Sequence, residues 1–280
     1  MDIKALLREH GLHPRKGLGQ NFLVDARVLQ RIVDTAQLEP EDVVLEIGAG
    51  LGTLTAALAR VASRVIAVEL DGQLVDILRA RLAGLSNTEI VCGDILSLDI
   101  PTLLGGSGAA TTAYKVVANI PYYITSAVLR HVLETAARPQ LFVVMVQREV
   151  AQRIVAQPGQ MSLLAVSVQF YGQARVLFRV PARAFYPSPK VDSAVVRIDP
   201  FSKPPLQGPE VGAFFDLVRA GFAQRRKQLR NALLHGLPVS ADQLSAAMAA
   251  AGIDPRRRAQ TLSVAEWLAL YHALHAVADE

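Results

Sequence analysis

One stretch narrows the possible folds more than any other: Val43-Val44-Leu45-Glu46-Ile47, followed at once by Gly48-Ala49-Gly50-Leu51-Gly52. The first five residues read as a strand with apolar groups on both faces. Such a strand belongs inside a sheet that is covered on both sides. The glycines let the backbone turn sharply and pass close to a ligand. Thr53 to Arg60 then runs at helical period, so the turn delivers a helix N-terminus with its unpaired N–H groups. Strand, glycine turn and helix form the opening unit of an open α/β sheet.

The same alternation repeats downstream. Val65 to Glu69 reads as a second strand and Gln73 to Leu82 as a second helix. Glu89 to Cys92 is a third strand that ends at Gly93-Asp94, Tyr114 to Ala118 a fourth, and Leu141 to Val146 a fifth. From Ala165 the pattern changes. Val166 to Tyr171, Ala174 to Val180 and Ala194 to Ile198 read as strands without long helices between them, suited to finishing the sheet antiparallel. The Pro-rich stretch Asp199 to Pro205 is the candidate linker. Beyond it Val211 to Leu234, Ala241 to Ala251 and Val264 to Val277 have helical periods. The expected architecture is therefore an α/β domain over residues 1–200 and a small helical domain over 201–280. Gly105 to Gly108, within Thr102 to Ala113, reads as a mobile surface loop.

Composition excludes several classes. At 280 residues, with 51% hydrophobic and 19% charged, the chain is neither disordered nor low-complexity. One cysteine, Cys92, rules out an intrachain disulfide and is expected in the core. No apolar run follows a basic start in Met1 to Leu12, and no stretch is long and apolar enough to span a bilayer. A cytoplasmic, membrane-free protein is expected. His272 and His275 lie three apart on a helix, a spacing better suited to a solvated face than to a metal, so no metal site is expected. The net charge of +4 hints at a polyanionic partner without deciding it.

The glycine turn discriminates between cofactors. A dinucleotide fingerprint would place glycine at position 53, where this chain has Thr53. Glu46 followed by G-x-G-x-G resembles instead the first motif of S-adenosylmethionine-dependent methyltransferases, so a Rossmann-like class I domain is expected. Glu69, ending the second strand, is placed to accept hydrogen bonds from both ribose hydroxyls. Asp94, ending the third, is placed to accept from the adenine amino group. Asn119-Ile120-Pro121-Tyr122 follows the fourth strand directly. An exocyclic amine on adenine is a poor nucleophile because its lone pair is delocalised into the ring. Two acceptors aimed at its N–H bonds, the Asn119 side chain and the Pro121 carbonyl, would favour the pyramidal nitrogen of the attacking amine. Tyr122 offers a ring for an extruded base to stack on.

Carrying these motifs, the chain resembles the small-subunit ribosomal RNA adenine N6,N6-dimethyltransferases over nearly its whole length. Pro14 to Leu23, containing Gln20-Asn21-Phe22-Leu23, matches the family's N-terminal signature. The resemblance implies that this segment folds over the cofactor, with Asn21 and Leu23 in contact. It places Gly48, Glu69, Asp94 and Asn119 at the remaining cofactor positions. Phe185 to Ala194 matches the late signature, which implies Phe185 beside the target base, opposite Tyr122. Phe222 to Leu233, with Arg225-Arg226-Lys227-Gln228-Leu229-Arg230-Asn231, matches the helical domain's signature. That run separates the chain from the large-subunit rRNA adenine methyltransferases, the first alternative; a non-catalytic ribosome-assembly factor is the second. The implied substrate is two adjacent adenines in a hairpin loop near the 3′ end of 16S rRNA, in a partly assembled subunit. The implied donor is S-adenosylmethionine, and a monomer is expected. On a helical wheel Phe215, Phe222, Leu229 and Leu233 share one stripe, flanked by Arg219, Arg225 and Arg230. Arg225, Arg226, Lys227 and Arg230, with Arg256 to Arg258, are expected to contact RNA phosphates.

Overall fold

The computed structural model describes residues 3–105, 113–135 and 137–278. Residues 106–112, the heart of the expected surface loop, lie outside them. The chain divides into two compact units: Met1–Ala151 with Gln173–Pro200, and Gln152–Gly172 with Phe201–Glu280.

The first unit is built on a sheet with spatial order β4-β3-β2-β5-β6-β9-β7. The strands are β2 (Val43–Ile47), β3 (Arg64–Glu69), β4 (Thr88–Cys92), β5 (Tyr114–Asn119), β6 (Leu141–Gln147), β7 (Gly172–Val180) and β9 (Ser193–Pro200). A second, two-stranded sheet pairs β1 (Phe22–Leu23) with β8 (Phe185–Tyr186), antiparallel. Strands β2 to β6 run parallel to one another, and β9 closes antiparallel on β6. Every residue of β2 is buried, as its unbroken apolar run requires. Chain order reverses at β2, with β3 on one side and β5 on the other. Ligands bind at such a switch point, outside the carboxyl ends of the strands. Register brings three of those ends level: Ile47 lies opposite Val68 and Ala118. Glu69 and Asn119 therefore stand one residue further on, flanking the glycine turn.

Three sequence readings need correction. Val166 to Tyr171 is not a strand; a helix covers Leu163–Gln169, capped by the Ser162 hydroxyl, which accepts from the Ala165 N–H at 3.2 Å. The segment is buried on all sides, and an apolar run of that kind carries no period to tell helix from strand. Val211 to Leu234 is two helices, Pro209–Ala223 and Leu229–Gly236. The break holds the three adjacent cations Arg225, Arg226 and Lys227. After it, the Leu229 N–H, which a continuous helix would direct to the Arg225 carbonyl, donates to the Arg257 carbonyl at 2.7 Å. Cys92 is exposed, because β4 is an edge strand of the sheet.

The second unit also differs from a simple C-terminal block, because Gln152–Gly172 packs within it. The cause is aromatic. The Phe170 ring stacks on Phe214 at 4.8 Å and meets Phe215 edge-on at 5.2 Å. Leu229, Leu233 and Trp267 add fully buried apolar groups. Gly221 sits where two elements touch, and a Cβ there would lie 2.4 Å from Trp267 Cη2. Gly221→Ala should therefore destabilise the protein by about 1–3 kcal/mol, although alanine favours a helix interior by about 1 kcal/mol over glycine. Denaturant unfolding of the variant checks this, and a stabilised variant would contradict the tight contact.

Candidate active site

The carboxyl ends of β2, β3 and β5 open onto one cavity within the first unit. Every residue expected at the cofactor or the target base lines it: Asn21, Leu23, Gly48, Glu69, Asp94, Asn119, Pro121, Tyr122 and Phe185.

Glu69 sits at its centre, 9% exposed. Its Oε2 accepts the Gly50 N–H at 2.8 Å and its Oε1 accepts the Asp71 N–H at 2.9 Å. Each carboxylate oxygen has a second lone-pair direction, so both can still accept from a ligand's hydroxyls. Burial raises the carboxyl above its ordinary value, and the two amides oppose that shift. The amides of the glycine turn are largely committed. Gly48 and Ala49 donate to the Val68 carbonyl at 3.0 and 3.2 Å, and Gly52 to Ala49 at 3.0 Å. Gly48 thus serves by what it lacks. With φ +80, a Cβ there would stand 2.8 Å from the Asn119 backbone oxygen. Only glycine lets β2 and β5 end this close together.

Asp94 is exposed, and its Oδ1 accepts the Leu96 N–H at 3.0 Å. It closes its own turn with one oxygen and leaves the other for the cavity. Asn21 holds its own segment by donating Nδ2–H to the Gly19 carbonyl at 2.9 Å. Leu23 and Phe185 lie opposite each other in the β1–β8 pair, so the N-terminal and late signatures meet as one sheet. Phe185 is only 4% exposed and belongs to a core cluster with Leu23 and Val195. The Tyr122 hydroxyl lies 2.7 Å from Ser193 Oγ, a fully buried side chain. Burial raises the Tyr122 phenol, against a smaller pull from Ser193, so it is no base. The Pro121 carbonyl already accepts the Ile124 N–H at 3.2 Å and the Thr125 hydroxyl at 3.5 Å.

Sequence reasoning noted Glu46 but gave it no role. It is 1% exposed, lines the cavity, and neither oxygen has a hydrogen-bond partner among the described residues. Burial pushes its carboxyl up to about 8, and the nearby Glu69 charge adds to the rise. Thr55 lies close enough to soften the effect, without well-formed geometry to either oxygen. The signal was present: an acid inside an otherwise apolar strand. Ser193 had no such signal, being one residue within a matched signature.

The second unit, taken by itself, sorts its cations into two groups. Arg257 is bound to Glu266 and to the Thr261 carbonyl, and Arg256 pairs with Asp254 at 2.9 Å. Hydrogen bonding from Arg257 drops the Glu266 carboxyl to about 2. Arg225, Arg226, Lys227 and Arg258 are exposed and have no ion-pair partner among the described residues.

With this geometry in place, similarity to known proteins becomes interpretable. The family model for ribosomal RNA adenine dimethylase matches residues 11–276. The chain belongs to that family. "Ribosomal RNA small subunit methyltransferase A" of Dehalococcoides mccartyi is 49% identical over 94% of this chain and 89% of its own length. The protein of the same name from Geobacillus kaustophilus is 42% identical over 97% and 94%. Among solved structures, the 23S rRNA methyltransferase ErmE superposes with a TM-score of 0.71 at 31% identity, over 91% of this chain and 100% of its own. A dimethyladenosine transferase from Plasmodium falciparum gives 0.78 at 24% identity, over 92% and 98%, and shows the same fold. The first unit is thus a class I methyltransferase fold, which implies S-adenosylmethionine as the methyl donor. The cavity fits that molecule: two desolvated carboxyls, one without any partner, suit an occupant bearing an ammonium and a sulfonium.

The Glu46 shift has a consequence for stability. Its folded value, about 8, lies above the ordinary 4.5. The native state therefore holds the proton more tightly. That contribution is complete below about pH 4.5 and is lost as pH rises through about 8. Glu46→Gln, which mimics the protonated form, should gain thermal stability relative to the native chain between about pH 5 and pH 8.5. Thermal scans of cofactor-free protein test this, and a pH-independent difference would show that Glu46 ionises normally.

Proposed function

We propose that this protein transfers methyl groups from S-adenosylmethionine to N6 of two adjacent adenines in a hairpin loop near the 3′ end of 16S rRNA. The substrate is a partly assembled small subunit, the end product N6,N6-dimethyladenosine, and the acting species a monomer. The observation that carries the reading is the placement of Asn119. It ends β5 against the side-chain-free Gly48, beside two buried acids that suit a cationic donor. The relatives named for small-subunit methylation, at 42–49% identity, support the choice of RNA. In the second unit the exposed Arg225, Arg226 and Lys227 suit phosphate contact.

Bound in the cavity, S-adenosylmethionine would supply an electrophilic methyl group. Glu69 would hold the ribose hydroxyls, Asp94 the adenine amino group, and Asn21, Leu23 and Gly48 the remaining walls. Asn119 would accept an N–H of the target amine and localise its lone pair towards the methyl. The Pro121 carbonyl, already shared with Ile124 and Thr125, would contribute its remaining capacity, so Asn119 carries more of the alignment. Tyr122, pinned through its hydroxyl by Ser193, would present its ring to the extruded base. Phe185 is too enclosed to swing and would form a fixed wall. After one transfer the nitrogen keeps one N–H, which the same acceptors can hold for a second.

Nucleoside mass spectrometry of methylation-deficient small subunits, incubated with the protein and cofactor, tests the reading. Dimethyladenosine at two adjacent positions is expected; product confined to large-subunit RNA would move the activity to the ErmE-like alternative. Asn119→Ala should lower single-turnover methylation by at least a hundredfold at saturating cofactor and RNA, roughly the weight of one transition-state hydrogen-bonding group, while RNA affinity changes little. A rate within a few-fold of native would remove Asn119 from the chemistry. Replacing Arg225 and Lys227 by Gln should weaken RNA binding and flatten the logarithmic salt dependence by about one to two units. An unaltered slope in a salt titration would assign these charges to solvent.

A further inference from the structure

The N-terminal segment that walls the cavity is tied down from a point outside it. Gln20 Nε2–H donates to Asp71 Oδ2 at 2.8 Å, and Arg15 Nη1 reaches Asp71 Oδ1 at 3.3 Å. Arg15 also donates to Gln73 Oε1 at 2.6 Å, and its backbone N–H to Gln20 Oε1 at 2.8 Å. The bridged residues lie more than fifty positions apart in the chain. Asp71 is itself fixed twice. Its N–H donates to Glu69 Oε1 at 2.9 Å, and its side chain accepts from Gln73 N–H at 3.2 Å as the N-cap of the helix Gly72–Leu82.

The exposures differ in a telling way. The Asp71 side chain is 4% exposed, the Arg15 side chain 50%. A half-exposed ion pair contributes little. A hydrogen bond to a buried carboxylate is about twice as strong as a neutral one, and losing it leaves that carboxylate short of a partner. Gln20 is therefore the stronger tie. It immediately precedes Asn21, Phe22 and Leu23, which reach into the cavity. At the far side of the segment, β1 pairs with β8, Val24 N–H donates to the Ala184 carbonyl at 2.8 Å, and Phe22 and Leu23 pack into core clusters.

We propose that Asp71 is a positioning residue. Through Gln20, and secondarily Arg15, it clamps residues 15–23 over the cofactor cavity. The same Asp71 amide helps hold the Glu69 carboxylate, so the wall and the cavity floor share one anchor. The clamp sets how readily the segment lifts, and with it how tightly a cofactor is retained. This rests on the cofactor assignment proposed above, but the movement of the segment can be measured without any cofactor.

A polarity swap tests the proposal. Gln20→Glu keeps the shape of the side chain and sets one carboxylate against another. Asp71→Asn retains the helix cap, since Asn caps as well as Asp, and removes the charge. Together they restore a donor and an acceptor in reversed order. In cofactor-free Gln20→Glu protein, amide hydrogen exchange over residues 19–23 should accelerate about tenfold. Calorimetric titration should show S-adenosylmethionine binding weakened by about tenfold. The double variant should recover both to within about threefold of native. Unchanged exchange in Gln20→Glu, or no recovery in the double variant, would overturn the clamp. Faster exchange with undiminished cofactor affinity would also overturn it, by separating the segment from retention. If the native protein binds no S-adenosylmethionine, the cofactor assignment fails, and the exchange result alone still decides whether Asp71 holds the segment.

Discussion

The Glu69 carboxylate is the constraint on which the rest of the site depends. One oxygen accepts from Gly50 in the turn after β2, the other from Asp71 at the start of the next helix. A desolvated carboxylate is costly unless it is hydrogen-bonded, so these two amides are held where Glu69 needs them. The glycine turn, the strand end and the helix N-terminus are thereby locked into one rigid group. Loops that depended only on their own backbone preferences would not hold a ligand's polar groups to within a fraction of an ångström.

Close approach of backbones supplies the second constraint. β2 and β5 are neighbours in a parallel sheet, and their ends would normally diverge as their connections leave in different directions. Here the Asn119 carbonyl comes so near Gly48 that any side chain would collide with it. That contact fixes the distance between the cofactor-side turn and the residue proposed to act on the amine. The β1–β8 pair fixes the opposite wall in the same manner, joining Leu23 to Phe185 across a long gap in sequence. Parts of the cavity distant in the chain are thus set by backbone pairing, which tolerates less error than side-chain packing.

Much of this was legible in the sequence because the parallel strands are buried on both faces. The runs at Val43 to Ile47 and Leu141 to Val146 have no polar side to mask them, and Gly48, Glu69 and Asn119 stand directly at strand ends. The same property misled at Val166 to Tyr171. A fully buried helix also lacks a polar face, and its β-branched residues favoured the wrong assignment. The break at 224–228 was hidden for a different reason: no Gly or Pro marks it, and a tertiary hydrogen bond from Leu229 to Arg257 replaces the helical one. Cys92 was misplaced because sheet order is not written in any single strand, and an edge position is known only once the neighbours are. The clamp on residues 15–23 was invisible for a related cause, since Gln20, Arg15 and Asp71 are each ordinary residues until the fold brings them together.

The same distinction governs the cations of the second unit. Composition counts Arg256, Arg257 and Arg258 alike, yet of the three only Arg258 has no ion-pair partner among the described residues. Arg257 is consumed in holding Glu266 and the Thr261 carbonyl, and Arg256 in holding Asp254. Neutralised pairs release few counterions to a polyanion, whereas unpaired ones release them fully. The interrupted helix matters for this reason. In a continuous helix Arg225, Arg226 and Lys227 would point in directions about 100° apart, and Arg226 would fall almost on the apolar stripe. In the turn all three are exposed. Leu229, just past the turn, donates its backbone N–H to the Arg257 carbonyl, which ties the turn to the segment that carries Arg258. The fold thus spends some basic residues on its own stability and leaves Arg225, Arg226, Lys227 and Arg258 exposed, without an ion-pair partner among the described residues.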